Sequence, residues 1–307
     1  MKIAAFYSDS PFAGWVQAEG FVDVLKRMGH EVVPIPVPPT NTVTAKQVAR
    51  INKPIMDCDL VIVSGPEWLR KWIKTFYPEW GVIKAPKVAW YHESFVREDM
   101  KLDYANFEGM FDFHFFPDKD DAEKYKGEWL PLGFDYNMFY PDDEVKRDID
   151  VAFIGLMYPK RARFLQELQP HLGDIKIDIR AAVNSERGII PAIAVYDFDG
   201  LNVRKSMQLL AETYRRIKVF VTFPSLSNVL VAKVLESLAS GCVLVAPKQP
   251  VRLAGHLEYD GAYDCAAKIR QALGDTATDP QQVFMENAME LRFEQIFSKV
   301  GVCQPSL

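Results

Sequence analysis

The chain has 307 residues, of which 49% are hydrophobic and 25% charged, a globular balance that excludes global disorder. The formal net charge of −5 argues against a surface built throughout for nucleic acid. The 4 cysteines lie far apart without a C-x-x-C pair, so neither structural zinc nor a disulfide framework is expected. Such cysteine usage fits a reducing cytosol, and no apolar run approaches the ~20 residues of a membrane span. We therefore predict a cytoplasmic protein.

Short apolar runs alternate with helical stretches along the chain, which predicts parallel sheets covered by helices. The stretch 34–39 is rich in proline and is predicted to be mostly loop, because proline cannot donate to a sheet ladder. The elements predicted in the first half are strands over Lys2–Tyr7, Leu60–Val63, Lys87–Tyr91 and Phe111–Phe116, a strand starting at Glu31, and a helix over Val16–Met28.

A second series of strands and helices begins after the polar segment 141–144. Gly241 follows the predicted helix Val229–Ser240, where a left-handed cap favours glycine. The other elements predicted in this half are strands over Asp150–Ile154, Lys176–Ile179, Ala194–Tyr196, Val219–Phe223 and Cys242–Ala246, and helices over Arg161–Leu168, Arg204–Arg215 and about 281–299. Two Rossmann-like domains follow, over 1–143 and 144–280, with a C-terminal helix over 281–307 packing back on the first.

Three segments resemble one family of proteins. Val219–Ser225 followed by Lys233–Ala246 resembles the donor-binding region of retaining GT-B glycosyltransferases, in which a strand ending in Pro-Ser leads to a helix of the form E-x-x-A-x-G. Leu130–Asp135, with Phe139 and Pro141, is similar to their interdomain segment, and Asp148–Gly155, with Tyr158 and Arg161, is similar to the CgeB-like branch.

The resemblance implies a GT-B fold, in which two α/β domains with parallel sheets face a cleft. It implies a hexosyltransferase that takes its sugar from a nucleotide-diphosphate donor of the UDP or GDP type. It also implies retention of the anomeric configuration, no metal and no further cofactor. The acceptor stays open among a glycan, a protein, a small molecule and a modified nucleic acid.

By the same resemblance, Glu236 is the ribose-binding carboxylate of the donor site. The alternative is a surface ion pair with Lys233, three residues earlier on the helix. Asn228 occupies the place where many family members carry a second Glu, and an amide binds sugar hydroxyls without supplying negative charge. Ser227 or Asn228 alternatively caps this helix, whose first N–H groups would then bind the diphosphate.

A basic segment after the strand that ends near Gly155 completes the predicted donor site. Arg161 matches the family's arginine, and a fixed cation there stabilises the charge that develops on the departing diphosphate. The alternative is a solvated basic helix start. Lys160 and Ser225 are predicted to line the same site.

Two further loops follow strands of the first domain. His92 is predicted to orient the acceptor or bind the donor sugar, with Glu93 as the base if the enzyme inverts; the alternative for His92 is a structural role. Gly14 follows the first strand and would allow close approach to the donor.

Other motifs leave rival functions open. The D-x-D triplets at 57–59 and 197–199 lack supporting context, so no metal site is predicted. The basic and aromatic stretch 70–77 fits a surface amphipathic helix better than a nucleic-acid contact. The rivals are a nucleotide-sugar epimerase on the same fold, a non-catalytic protein that binds sugar nucleotides or glycans, and a glycosyltransferase acting on modified DNA bases.

Overall fold

A computed structural model of the chain describes residues 1–9, 14–37, 53–95, 103–185, 188–190, 203–227, 229–274 and 280–302. The chain divides into two units. Unit 1 comprises Met1–Asp135 and Asn287–Leu307, and unit 2 comprises Tyr136–Glu286.

Unit 1 is built on a parallel sheet of strand order β2-β1-β3-β4-β5-β6. Its strands are β1 (Lys2–Ser8), β2 (Glu31–Val37), β3 (Leu60–Ser64), β4 (Lys87–Trp90), β5 (Phe113–Phe116) and β6 (Glu128–Trp129). Its helices are α1 (Glu19–Arg27), α2 (Pro66–Phe76), α3 (Lys119–Lys124) and α9 (Met289–Val300), with 3-10 turns at Trp15–Gln17, Pro78–Val82 and Tyr104–Asn106. The sheet has parallel strands, as the alternating pattern predicts.

The predicted loop at 34–39 is wrong over its first residues, because β2 runs through Pro34 and Pro36. The backbone N–H of Glu31 donates to Met1 and the carbonyl of Val37 accepts from Asp9, so residues 31 and 37 both face β1. Neighbouring residues of a strand point their N–H groups to opposite sides, so the two prolines face the outer edge. A strand at the edge of a sheet tolerates proline there.

The C-terminal helix α9 packs its aromatic side chains within unit 1. The Phe293 ring lies 5.4 Å from the Phe21 ring and 5.9 Å from the Trp90 ring. An isolated bridge between Phe134 and Ala288 aligns the chain just before this helix. Gly133 is needed at this approach, because a Cβ there would lie 2.9 Å from the Cα of Met289.

Unit 2 is built on a second sheet of order β12-β11-β10-β7-β8-β9, parallel except that β9 runs antiparallel to β8. Its strands are β7 (Ile149–Met157), β8 (Asp178–Ser185), β9 (Gly188–Ile190), β10 (Ile217–Val221), β11 (Val243–Ala246) and β12 (His256–Glu258). Its helices are α4 (Pro159–Leu172), α5 (Val203–Arg216), α6 (Ala232–Ala239), α7 (Gly261–Gly274) and α8 (Pro280–Asn287), the last of which ends at the unit boundary. The strand predicted at 194–196 lies outside the described residues.

Helix α6 starts later than predicted. Its N-cap is Val231 in an extended conformation, and no side chain caps it, so neither Ser227 nor residue 228 opens the helix. The buried side chains of Val229 and Leu230 hold the preceding segment in place. The predicted glycine cap at the other end is confirmed, since Gly241 has φ +82°.

The far end of α6 is anchored by an arginine. Arg147 donates through Nη2 to the carbonyl of Ser240 at 2.8 Å and through Nη1 to the carbonyl of Ile217 at 2.6 Å. A Cβ on Gly241 would lie 2.5 Å from Nη2, so glycine is needed both for its φ and for this contact. The helix that carries Glu236 is thereby fixed to the start of β10.

The strand order of unit 2 reverses between β7 and β10, and ligands of open α/β sheets bind at the carboxyl ends of the strands flanking such a reversal. In unit 1 the order reverses between β1 and β3. No helix in the described part of the chain is long and apolar enough to cross a bilayer.

Candidate functional site

Lys233 reaches the reversal point of unit 2 from α6. Strand β7 pairs with β10 as far as Ala152 and continues past Gly155 to Met157, where it still pairs with β8. The Nζ of Lys233 lies 3.3 Å from the Ile154 carbonyl oxygen, to which it donates. Gly155 has φ +151°, and a Cβ on it would lie 2.6 Å from this Nζ. Glycine therefore leaves room for a cation above β7.

Arg161 joins Lys233 from the first turn of α4. Its side chain is buried, and its Nη1 donates to the Leu156 carbonyl at 2.8 Å. The guanidinium carbon lies 5.6 Å from the centre of the Phe153 ring, and the Nζ of Lys233 lies 5.0 Å from it. The two cations thus share one aromatic ring, which partly offsets their desolvation.

Glu236 lies one turn after Lys233 on α6 and is 3% exposed. Burial raises the pKa of Glu236 to about 8, and the charge of Lys233 opposes that shift. Burial also lowers the pKa of Lys233 well below its usual value, and the charge of Arg161 adds to this effect. The two side chains that the sequence suggested as a surface ion pair thus influence each other's charge, and Glu236 is buried and not on the surface.

The three side chains bring charges of both signs together at the strand reversal. Arg161 and Glu236 are buried and Lys233 is half-buried, and burial disfavours the charged forms of Lys233 and Glu236. A bound anion would stabilise the charged form of Lys233 and so recover part of this cost.

Lys160 and Ser225 meet at the edge of this arrangement. The Nζ of Lys160 donates to the Ser225 carbonyl at 3.0 Å, and the Tyr158 hydroxyl donates to the Pro224 carbonyl at 2.8 Å. These bonds join the start of α4 to the loop after β10. Ser227 lies half-buried in the same loop, and Asn228 lies outside the described residues.

In unit 1, His92 lies buried directly after β4. Its Nε2 is 3.1 Å from the hydroxyl oxygen of Ser64, the last residue of β3. Its Nδ1 is buried without a partner among the described residues. Burial lowers the pKa of His92 to about 3, so its imidazole is neutral at physiological pH.

Glu93 and the backbone of His92 are held by Glu67, near the start of α2. The Oε1 of Glu67 accepts the N–H of His92 at 2.8 Å and that of Glu93 at 3.0 Å. Burial raises the pKa of Glu67 to about 8. Sequence reasoning missed Glu67, because its contact with a loop 25 residues further along the chain leaves no pattern in the sequence.

Gly14 opens the 3-10 turn Trp15–Gln17 with an ordinary φ of −61°. A Cβ there would meet only the Gln17 side chain, at 3.8 Å, so contacts within the described chain do not require glycine. Its neighbour Trp15 donates through Nε1 to buried Asp135 at 2.8 Å, and Arg27 donates to the same carboxylate at 2.6 Å. This network fixes the 3-10 turn that begins at Trp15.

Neither acidic triplet forms a metal cluster in the described structure. Asp57 pairs with the Nζ of Lys2, and Asp59 accepts the backbone N–H of the same residue at 2.7 Å. The triplet 197–199 lies outside the described residues. Nowhere in the described ranges do three or more His, Cys, Asp or Glu side chains gather as a metal site would need.

The basic and aromatic stretch forms α2. Trp72 and Phe76 stack with 5.4 Å between ring centres and pack against the core of unit 1. Arg70 donates to the Asn106 side chain at 2.6 Å. The aromatic rings and this arginine thus serve packing, which leaves Lys71 and Lys74 as the exposed cations of the helix.

A cavity of about 800 Å³ opens elsewhere in unit 2, between the loop after β11 and α8. Its lining includes Lys248, Arg252, Glu258 and Glu286 but none of the predicted donor residues. Its cations and carboxylates are of mixed sign and have no common ligand chemistry. The cavity therefore lies apart from the Arg161, Lys233 and Glu236 cluster at the strand reversal.

Solved structures share this architecture. An α-glucosyltransferase in complex with UDP and a 13-mer DNA superposes with a TM-score of 0.68 at 14% identity, covering 98% of this chain and 100% of that one. AviGT4, a glycosyltransferase involved in avilamycin A biosynthesis, superposes with a TM-score of 0.61 at 12% identity, covering 98% of this chain and 97% of that one. Anabaena HepE in complex with UDP and glucose superposes with a TM-score of 0.57 at 12% identity, covering 99% of this chain and 100% of that one.

The chain has the GT-B fold. The superpositions extend over both units, and the two parallel sheets match the predicted fold class. The sequence matches no protein-family model and no curated protein. The likeness of residues 148–161 to the CgeB-like branch stays a prediction.

Proposed function

We propose that the protein is a glycosyltransferase that moves a hexose from a UDP-sugar to an acceptor. One observation carries the proposal: the buried side chains of Arg161 and Glu236 and the half-buried side chain of Lys233 lie together at the reversal point of unit 2. The neighbours add support, since the α-glucosyltransferase and HepE were both solved with UDP.

In this proposal the diphosphate binds at the two cations, and Glu236 accepts hydrogen bonds from the ribose hydroxyls. Transfer breaks the bond between the sugar C1 and the β-phosphate oxygen, which keeps the electron pair. Arg161 and Lys233 stabilise the charge left on that oxygen, the role that a metal fills in other transferases. We therefore propose transfer without a metal.

The acceptor oxygen forms the new bond to C1 and loses its proton. His92 and Glu93 of unit 1 are proposed for the acceptor side, and Gly14 is proposed to allow close approach of the donor. Glu93 takes the acceptor proton if the configuration inverts, and the departing phosphate oxygen takes it if the configuration is retained. Retention is proposed from the family resemblance. Asn228, in place of the usual Glu, argues for a neutral contact to the sugar.

The test is a binding panel of UDP, GDP, UDP-glucose and GDP-mannose, with magnesium or with EDTA, on wild type and Glu236→Ala. We expect one nucleotide to raise the melting temperature equally with and without metal, and the variant to lose that rise. No shift with any nucleotide would remove the donor site. Isomerised donor without an acceptor would favour an epimerase, and binding without turnover a non-catalytic protein.

A modified DNA base is a second acceptor class, because the first of these neighbours was solved with DNA. In this chain the exposed Lys71 and Lys74 of α2 favour a DNA acceptor, whereas the net charge of −5 opposes DNA binding. DNA binding that weakens steeply with salt would favour this acceptor over a glycan.

A further inference from the structure

The segment 92–95 after β4 is held by two carboxyl groups from neighbouring helices. At its start, the Oε1 of Glu67 accepts the N–H groups of His92 and Glu93, at 2.8 and 3.0 Å. At its end, the Oδ2 of Asp121 accepts the Ser94 hydroxyl at 3.0 Å and the Phe95 N–H at 2.7 Å. Every residue of the segment is therefore bound by a side chain from outside it.

The strand end beside this segment is equally fixed. The N–H of Gly65 donates to the Trp90 carbonyl at 2.8 Å, and Gly65 has φ +73°, which lets the chain turn from β3 into α2. This turn places Glu67 two residues later, under the backbone of His92. The position of Glu67 is thus set by the sheet itself.

Holding Glu67 there has a cost. Its second oxygen, Oε2, is buried and has no hydrogen-bond partner among the described residues. An unsatisfied buried polar atom destabilises the folded state. A carboxyl whose only task was stability would be better placed in water, so the contact points to a role at the segment it holds.

We propose that Glu67 is a positioning residue for sugar transfer, which fixes the backbone of His92 and Glu93 through its Oε1. The proposal rests on the proposed function, since it assigns those two residues to the reaction. Glu67 itself touches neither donor nor acceptor in this scheme. Its contribution is to hold the reacting groups in the orientation that transfer needs, which lowers the entropic part of the barrier.

The chemistry of the contact separates hydrogen bonding from charge. Glutamine presents a carbonyl oxygen at the same place and can accept both N–H groups, while aspartate keeps the carboxyl but is one methylene shorter. If the position of the oxygen matters, Glu67→Gln keeps kcat and Glu67→Asp loses it. If the negative charge matters, Glu67→Asp keeps kcat and Glu67→Gln loses it.

The experiment uses the full chain, with Glu67→Ala, Glu67→Gln and Glu67→Asp, and with exposed Glu123→Ala as the matched control in unit 1. UDP release from UDP-glucose, with water as the acceptor, gives kcat, and calorimetry gives the Kd of UDP. Hydrogen exchange reports on the amides of residues 91–95.

We expect kcat to fall about 10-fold or more in Glu67→Ala and Glu67→Asp, and most of it to return in Glu67→Gln. The Kd of UDP should stay within about twofold of wild type, since the donor cluster is untouched. Exchange at His92 and Glu93 should quicken in the two impaired variants alone. If Glu67→Ala does not fold, Glu67→Asp carries the test.

Wild-type kcat in Glu67→Ala would overturn the proposal, as would loss of kcat in Glu67→Gln with its amides still protected. A weaker UDP Kd in the Glu67 variants would also overturn it, by showing a general structural defect. A wild type that neither binds UDP nor releases it from UDP-glucose would instead refute the proposed function. Unchanged hydrogen exchange at the amides of His92 and Glu93 in Glu67→Ala would show that Glu67 does not fix this backbone.

Discussion

The two candidate sites differ in how they use buried charge. In unit 1, Glu67 and Asp121 direct their oxygens at backbone and hydroxyl donors, and His92 is neutral. In unit 2, Arg161 and Lys233 lie together over one ring with Glu236 nearby.

This contrast separates side chains that hold the protein backbone from side chains that are proposed to bind a ligand. One oxygen of each carboxyl of unit 1, Oε1 of Glu67 and Oδ2 of Asp121, accepts hydrogen bonds from the segment 92–95, so that site is a scaffold. The cations of unit 2, Arg161 and Lys233, are instead proposed to bind an anion from outside the chain. Three changes should break or sharpen the difference.

Arg161→Ala should have the largest effect on catalysis. The change removes a cation fixed at the place where the leaving diphosphate gains charge, and removing one such donor costs about 100-fold in kcat. The measurement is UDP release from the donor that the binding panel identifies. A kcat within about threefold of wild type would contradict the assignment of Arg161 to the leaving group.

Lys233→Met should weaken UDP binding by about 10-fold, as loss of one charge-assisted contact does. It should also raise the melting temperature without ligand, because an apolar side chain replaces a desolvated ammonium. Calorimetry and thermal unfolding test both effects. Lys160→Met is the matched control, since that lysine is exposed and should change the Kd by less than about threefold. Equal effects from both lysines would show that burial does not matter.

Glu236→Gln should change the pH dependence of stability by a smaller amount. Burial raises the pKa of Glu236 from 4.5 to about 8, so the folded state binds its proton more tightly than the unfolded state. The stability it contributes is full below pH 4.5 and is lost as pH rises through about 8. Glutamine does not ionise, so the stability of the variant relative to wild type should rise by about 2 kcal/mol between pH 6 and pH 8. Parallel denaturation curves at the two pH values would contradict the buried, protonated carboxyl.

Much of the fold follows from periodicity in the sequence, because short apolar runs and their helices set parallel sheets. The errors lie where tertiary context decides. Proline in β2 is tolerated only because that strand is at an edge, and strand order is not visible in a single sequence. Helix α6 starts at Ala232 because Val229 and Leu230 are buried, which capping preferences do not reveal.

For the site, the resemblance indicated Arg161 and Glu236, and the structure places both at the strand reversal. Lys233 was considered only as a partner on the helix surface. A lysine side chain is long and flexible, and its direction depends on the space that Gly155 leaves on another strand. Glu67 was missed for a similar reason, since its partners are backbone groups with no signature in the sequence.

The prolines of β2 have a consequence for how molecules of this protein meet one another. An exposed parallel edge offers a row of amide donors to any strand that approaches it, and this is a route to aggregation. At Pro34 and Pro36 that row is interrupted twice in succession, because neither residue has an N–H. An incoming strand cannot continue its ladder along this edge. The two prolines, which the sequence analysis assigned to a loop, therefore prevent a strand of another molecule from extending the sheet at this edge.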